Sequence, residues 1–209
     1  MFGLFRKGGV APSSMFEAAR YGEVDDMRRL VDKGGDIDVT NGNGETLLMV
    51  AIDHMSPQVA LYLVNAGADV RKTDVEGRQA LHYAARYGFH EVVGALLKKG
   101  VKPDKQGSLG SPLMEAVEGT GDAKTISMLI NAGASVRCGT DDGGNLLHLA
   151  AAKGNATAAR LLLGAGVSPL EVDRHGNRPS ALAEDPITGI VISDAEHRMT
   201  EMGCIGSRR

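Results

Sequence analysis

Gly77-Arg78-Gln79-Ala80-Leu81-His82-Tyr83-Ala84-Ala85-Arg86-Tyr87-Gly88, followed by Phe89-His90-Glu91-Val92-Val93-Gly94-Ala95-Leu96-Leu97-Lys98-Lys99-Gly100, reads as a turn, a short helix, a tight glycine turn, a longer helix and a glycine stop. Leu81, Ala84 and Ala85 fall on one face of the first helix, and Val92, Val93, Leu96 and Leu97 line a face of the second at helical spacing. Neither helix can bury that face alone. The chain needs neighbours of the same kind.

It supplies them. Gly34, Gly67, Gly100, Gly133 and Gly166 each follow the last by 33 residues, and Ala18, Ala51, Ala84, Ala116, Ala150 and Ala183 are separated by 33, 33, 32, 34 and 33. A fixed period of this length marks a solenoid, in which each unit buries its face against the next.

Gly77 to Gly100, the turn Asn65-Ala66-Gly67-Ala68-Asp69-Val70, the pairs Leu81-His82 and Leu147-His148, and the Ala-Ala-x-x-Gly segments at Ala18, Ala84 and Ala150 together resemble the ankyrin repeat family. The resemblance covers roughly residues 13 to 185. It implies an all-α solenoid of helix-turn-helix units with projecting β-hairpin loops, about five full repeats plus an atypical C-terminal capping unit. It also implies a curved stack whose concave face grips other proteins. His82 and His148 stand at the family's Leu-His position, where the resemblance implies a hydrogen bond that braces the neighbouring hairpin. The expected division is a flexible lead at 1–12, a repeat domain at 13–185, and a capping helix and tail at 186–209.

A net charge of −3 gives no electrostatic case for nucleic acid or an acidic membrane as partner. Cys138 and Cys204 lie far apart without paired spacing, which fits reduced thiols in a cytoplasmic protein better than a disulfide framework or a zinc site. No apolar run reaches a membrane span, and the start Met1-Phe2-Gly3-Leu4-Phe5-Arg6-Lys7 is too short for a secretory signal. Phe2, Leu4 and Phe5 are expected in a flexible lead; burial against the first repeat or docking in a partner is the alternative.

Ser13-Ser14 with Glu17 reads as a capping box opening the first helix, and Asp25, Asp26, Arg28 and Arg29 give the second helix the polar outer face of a terminal cap. Asn41-Gly42-Asn43-Gly44 favours a tight projecting turn. Met55 stands where a turn glycine is expected, so Ser56 as cap and Pro57 at the first helical position are expected to keep the turn. In the fourth unit the hairpin Asp104 to Gly110 is one residue short and the turn Glu118 to Asp122 one residue long. Such a loop is either a site of specific contact or tolerated drift. Near the end, Pro186 is expected to break the sixth unit, with an apolar loop at Ile187 to Ile192 that covers the end of the stack or pairs as an edge strand. A closing helix at 194–202 is then expected, capped by Ser193 and Glu196 and stopped at Gly203.

No HExxH, GxSxG, phosphate-cradling glycine loop or paired-cysteine motif is present, and His54, His90, His175 and His197 are read as surface histidines, so the chain is read as no enzyme, with no cofactor and no metal. The repeat phase points hairpin tips and the two residues before each helix turn toward the concave face. The partner-binding candidates are therefore Arg20 and Tyr21, Asp53 and His54, Arg86 and Tyr87, Glu118, and Lys153. On the hairpin side they are Glu76, Arg78, Asp141, Asp142 and Arg174, with Asn43, Glu45 and His175. The motif Ala-Ala-Arg-Tyr-Gly occurs twice, so Tyr21 and Tyr87 should flank the second unit, as suits an interface hot spot; packing between adjacent helices is the alternative. The expected function is a protein-protein interaction module, monomeric when free, acting as inhibitor, immunity factor or adaptor. A self-assembly module joined through the apolar start or the irregular C-terminal cap is the alternative.

Overall fold

The computed structural model describes residues 10–206. Among them are eleven α-helices: α1 Pro12–Tyr21, α2 Val24–Asp32, α3 Leu47–Asp53, α4 Pro57–Asn65, α5 Ala80–Arg86, α6 His90–Lys98, α7 Pro112–Glu118, α8 Ala123–Asn131, α9 Leu146–Ala152, α10 Ala156–Gly164 and α11 Pro186–Gly206, with a 3-10 turn at Pro179–Leu182 before the last. The odd helices α1, α3, α5, α7 and α9 stack as an inner row that ends on the 3-10 turn. The even helices stack as an outer row that ends on α11. The projecting loops form no extended strands among the described residues. They are hairpin turns held by single bridges such as Thr40 with Thr46 and Gly139 with Asn145.

The inner helices are buried more completely than a one-sided apolar face predicts. All of Leu47 to Ile52 in α3 and all of Ala80 to Ala85 in α5 are buried, because each helix lies between two neighbours and its own outer partner. Outer helices bury one face: Val92, Val93 and Leu96 are inaccessible in α6, whereas Leu97, expected in the same core, is half-buried at its edge. Polar side chains start the inner helices after α1. Thr46 accepts from Met49 N–H at 3.2 Å and Ser111 from Met114 N–H at 3.3 Å. In α5 and α9, Nδ1 of His82 and of His148 accepts from the amide of Gln79 and of Asn145, each at 3.0 Å. That leaves Nε2–H to donate to the next hairpin, at Lys105 O (2.8 Å) and Asn177 O (3.0 Å). Burial pushes the His82 imidazole below its usual pKa, which favours this neutral form.

Three local expectations are corrected. α1 starts at Pro12, the last residue of the expected lead, after Ala11 and with no side-chain cap, so Ser13 and Ser14 lie inside the helix; proline needs no N–H partner there. Phe2, Leu4 and Phe5 lie outside the described residues. At the second unit, Ser56 does not cap α4; its Oγ lies 3.3 Å from Arg20 O, and Met55 itself takes the left-handed conformation, φ 58°, that Gly88, Gly121 and Gly154 take in the third to fifth units. At the end of the chain, Ile187 to Ile192 is neither loop nor strand. Asp185 Oδ1 accepts from the amides of Ile187 and Thr188, both at 3.0 Å, and Pro186 opens a helix that continues past Ser193 and Gly203. Pro186 ends one element by starting the next. Thr188, Ile192 and Ala195 are buried in the end of the stack, while Ile187 and Ile190 are each 61% exposed.

Left-handed backbone costs a residue with a Cβ about 1–2 kcal/mol, partly offset by the extra freedom a glycine loses on folding. Met55→Gly should therefore raise unfolding stability by about 1 kcal/mol in urea titration. No gain would mean that the Met55 side chain makes compensating contacts.

Candidate binding surface

Because the inner helices stack in register, their last turns form a row, and the side chains there meet across repeats. Tyr21 and His54 pack edge to face, with ring centres 6.0 Å apart. Asp53 turns the other way and accepts from Tyr87 Oη at 2.8 Å. Adjacent residues of one helix thus serve opposite neighbours. Burial first, and then this bond, raise the Tyr87 phenol above its usual pKa. Arg86 Nη1 donates to Glu115 Oε2 at 2.8 Å and lies 3.7 Å from Glu118, whose other oxygen is 3.9 Å from Lys153 Nζ. The bond to Glu115 raises the Arg86 pKa further. One row of contacts therefore runs from the first repeat to the fifth.

Exposure along the row is uneven. Tyr21 is 81% exposed and Met55 59%, with Arg20, Asp53, His54 and Lys153 also open to solvent. Arg86, Tyr87 and Glu118 are half-buried and occupied with neighbours. Glu115, which sequence reasoning passed over, has a side chain only 2% exposed beneath Arg86. Its signal was available: Val50, Tyr83 and Leu149 hold the same repeat phase, so a carboxylate there calls for a cation.

The hairpin side is built on Asp74 and Tyr83, which were also missed, gathered around the expected Arg78, Glu45 and Glu76. Asp74, buried, accepts from Arg78 Nε at 2.8 Å and from Tyr83 Oη at 2.7 Å, and Tyr83 Oη accepts from Arg78 Nη2 at 2.8 Å. The Arg78 guanidinium stacks on the Tyr83 ring, 4.7 Å from its centre. Burial alone would raise the Asp74 carboxyl, but the bonds donated by Tyr83 and by the backbone and side chain of Arg78 outweigh it and hold the group below the usual carboxylate range. Burial and the bond to Asp74 push the Tyr83 phenol far up. Glu45 Oε1 lies 3.2 Å from the same hydroxyl, and Glu76 Oε2 lies 3.3 Å from Arg78 Nε and accepts from Ser108 Oγ at 2.7 Å.

Neighbouring hairpins also bond through their backbones. Val75 N–H donates to Asn43 O (3.0 Å), Ser108 N–H to Glu76 O (2.9 Å) and Arg174 N–H to Asp142 O (2.9 Å). Among the described residues no such bond joins the short fourth hairpin to the fifth. The long fourth helix turn does make a specific contact within the chain: Thr120 N–H donates to Arg86 O at 3.0 Å. Asp142 accepts from Thr140 Oγ and the Gly144 amide, the first of which chiefly lowers its pKa, and it stays exposed, as do Asp141, Arg174 and His175. Among the described residues no group of three or more His, Cys, Asp or Glu is placed to hold a metal, and no helix is long and apolar enough to cross a membrane.

Family models described as ankyrin repeats match residues 15–107 (three copies) and 129–183 (many copies). No curated protein matches the chain.

Two outcomes follow from the geometry. Arg86→Ala strands a buried carboxylate and should cost about 3 kcal/mol, whereas Arg86→Ala/Glu115→Leu, which installs the residue found at Leu149, should return most of it in thermal or urea unfolding. A double variant no better than the single one would show that the pair itself is not what the site needs. For Asp74, the folded pKa lies below the ~3.9 of an unfolded aspartate, so its contribution is complete above about pH 5 and is lost as pH falls through about 4 and below. The stability gap between the parent chain and Asp74→Asn should be wide near about pH 7 and narrow near about pH 3. A gap independent of pH would remove the carboxylate charge from the account.

Proposed function

The chain belongs to the ankyrin repeat family, and on that premise we propose that it is a non-catalytic binding protein that holds a protein partner against its concave face and hairpin tips. Ankyrin repeats generally mediate protein-protein interaction. The observation that carries the reading for this chain is the cluster of Tyr21, His54 and Met55 on two adjacent repeats. An aromatic ring and a thioether side chain are left largely in solvent, at fixed positions, with no part in the core. Large apolar side chains placed this way are the composition of an interface hot spot. The flanking Arg20, Asp53, Arg86, Tyr87, Glu118 and Lys153 form the polar remainder of the surface, and Glu76, Arg78, Asp141, Asp142 and Arg174 extend it along the hairpins. Their mixed charge fits a partner of mixed charge. A rigid row loses little entropy on contact, so a face of about 800 Å² per partner is sufficient for useful affinity.

The role proposed is that of an inhibitor, immunity factor or adaptor that occludes or tethers its partner, in the cytoplasm and monomeric when free. The wide separation of Cys138 and Cys204 supports a reducing compartment. Self-assembly stands as the second reading, because Ile187 and Ile190 expose apolar surface on α11.

Affinity capture with the intact chain, beside Tyr21→Ala, tests both. A partner identified with the intact chain should bind Tyr21→Ala about 30-fold more weakly, the equivalent of about 2 kcal/mol, with folding unchanged. Equal affinity would move binding away from the Tyr21 cluster. Recovery of the chain itself alone, with a size that grows with concentration, would favour self-assembly.

A further inference from the structure

The segment that follows each closing glycine repeats a small piece of chemistry. Four residues after Gly34, Asp38 Oδ1 accepts from the amide of Asp69 in the next unit at 2.8 Å. Four residues after Gly100, Asp104 Oδ1 accepts from the amide of Ser135 at 2.7 Å. In both places the chain's own carboxylate satisfies a backbone N–H that no helix or hairpin uses. Between these two, four residues after Gly67, the residue is Arg71. The corresponding amide belongs to Lys102, and among the described residues it has no acceptor.

The surroundings of that amide are cationic. A cavity of about 350 Å³ is lined by Arg71, Lys102, Lys105, Asp104, Gln79 and the backbone of Gly100 and Val101. None of Arg71, Lys102 and Lys105 forms an ion pair among the described residues, and the same holds for Lys98 and Lys99 at the end of α6 next to it. The one acid on the cavity wall, Asp104, already holds the Ser135 amide. The counterparts of these three cations elsewhere in the repeat each include an acid: Asp38, Asp69 and Lys72 in one register, Asp104, Ser135 and Cys138 in another, and Arg137, Ser168 and Glu171 in a third. In the third register Arg137 also replaces the aspartate and the Ser168 amide has no acceptor among the described residues, but Glu171 stands beside it; only the Arg71 register joins an open amide to three cations.

The cationic residues are also anchored. Arg71 N–H donates to Asp69 Oδ1 at 2.9 Å, Arg71 O accepts from Gln79 Nε2 at 2.8 Å, and Lys105 O accepts from His82 Nε2 at 2.8 Å. In the preceding register Lys72 Nζ donates to the carbonyl of Asp38 at 2.6 Å. The matching carbonyl, of Arg71, is taken by Gln79, so the Lys105 ammonium remains available.

We propose that this cavity is an oxyanion site that takes a carboxylate from an acidic segment of a partner protein, seated on the Lys102 amide between Arg71 and Lys105 as Asp38 and Asp104 seat on the amides one repeat to either side. A carboxylate bound to a backbone amide and flanked by guanidinium and ammonium makes charge-assisted bonds that water and salt replace poorly in a partly enclosed site. The site shares no residue with the Tyr21 cluster and stands whether or not that cluster binds a partner.

The test is a titration of the full chain with an end-blocked hexa-aspartate peptide, followed by amide NMR, beside hexa-asparagine and inorganic phosphate. The Lys102 amide should move downfield with hexa-aspartate and stay in place with hexa-asparagine. Arg71→Asp supplies the missing carboxylate from within. Its Lys102 amide should start at the shifted position, and peptide affinity should fall at least about tenfold. Lys102→Gln/Lys105→Gln should weaken binding without touching the backbone bonds, and keeps the test decisive if Arg71→Asp does not fold. Tyr21→Ala should leave the response unchanged. Undiminished affinity in Arg71→Asp or in the double variant would overturn the proposal, as would a Lys102 response to phosphate but not to the peptide.

Discussion

A seven-residue helix buried on every side cannot exist by itself. Isolated helices shorter than about 12–15 residues are marginal in water, and α3 and α5 are also buried on every side along all but their last residue. Their order comes from the units on either side. The neighbour interface, rather than any single repeat, is the unit of stability, and most of the polar architecture also crosses it. His82 shows the coupling: one ring nitrogen starts its own helix and the other holds the hairpin of the next unit. Folding of one unit therefore templates the next.

Registered stacking also decides which side chains meet. Residues at the last turn of successive inner helices lie beside one another, so compatibility between repeats is imposed position by position. Tyr87 with Asp53, Arg86 with Glu115 and Lys153 with Glu118 answer that demand. The ends answer a different one. α2 meets solvent with exposed pairs of Asp25 with Arg28 and Asp26 with Arg29, whereas α11 covers the far end with Thr188, Ile192 and Ala195. One end is made polar and the other is covered by a long helix.

The period, the helix pairs and the bracing histidines were legible because they recur, and recurrence is visible without geometry. What escaped the sequence lay across repeats or at single departures from the pattern. Glu115 drew no notice because its partner, Arg86, is 29 residues away. Tyr83 and Asp74 gave no local sign of meeting Arg78 over a buried carboxylate. Pro186 reads as a breaker when the chain before it is in mind, and as a first helical residue once Asp185 is seen to cap the helix after it. Met55 was expected to be bypassed by its neighbours, but the turn geometry left the strained conformation to Met55 itself. Of the surface residues, sequence phase located the row, but exposure within the row depended on which side chains found an internal partner.

That dependence bears on how such a surface gains affinity. Polar atoms already satisfied inside the chain, as in Arg78 and Arg86, offer a partner little beyond exchange of one bond for another, and net gains from such exchange are small. Their contribution is stiffness: each internal bond fixes a rotamer before any partner arrives and removes an ordering cost from association. The surplus arises where the repeat leaves something unanswered. Tyr21 and Met55 expose apolar surface beside a fixed row, and the Lys102 amide lies among cations where the repeats on either side provide an aspartate. A solenoid built by repetition is therefore most informative at the positions where the repetition lapses, because only there does the chain leave chemistry for another molecule to complete.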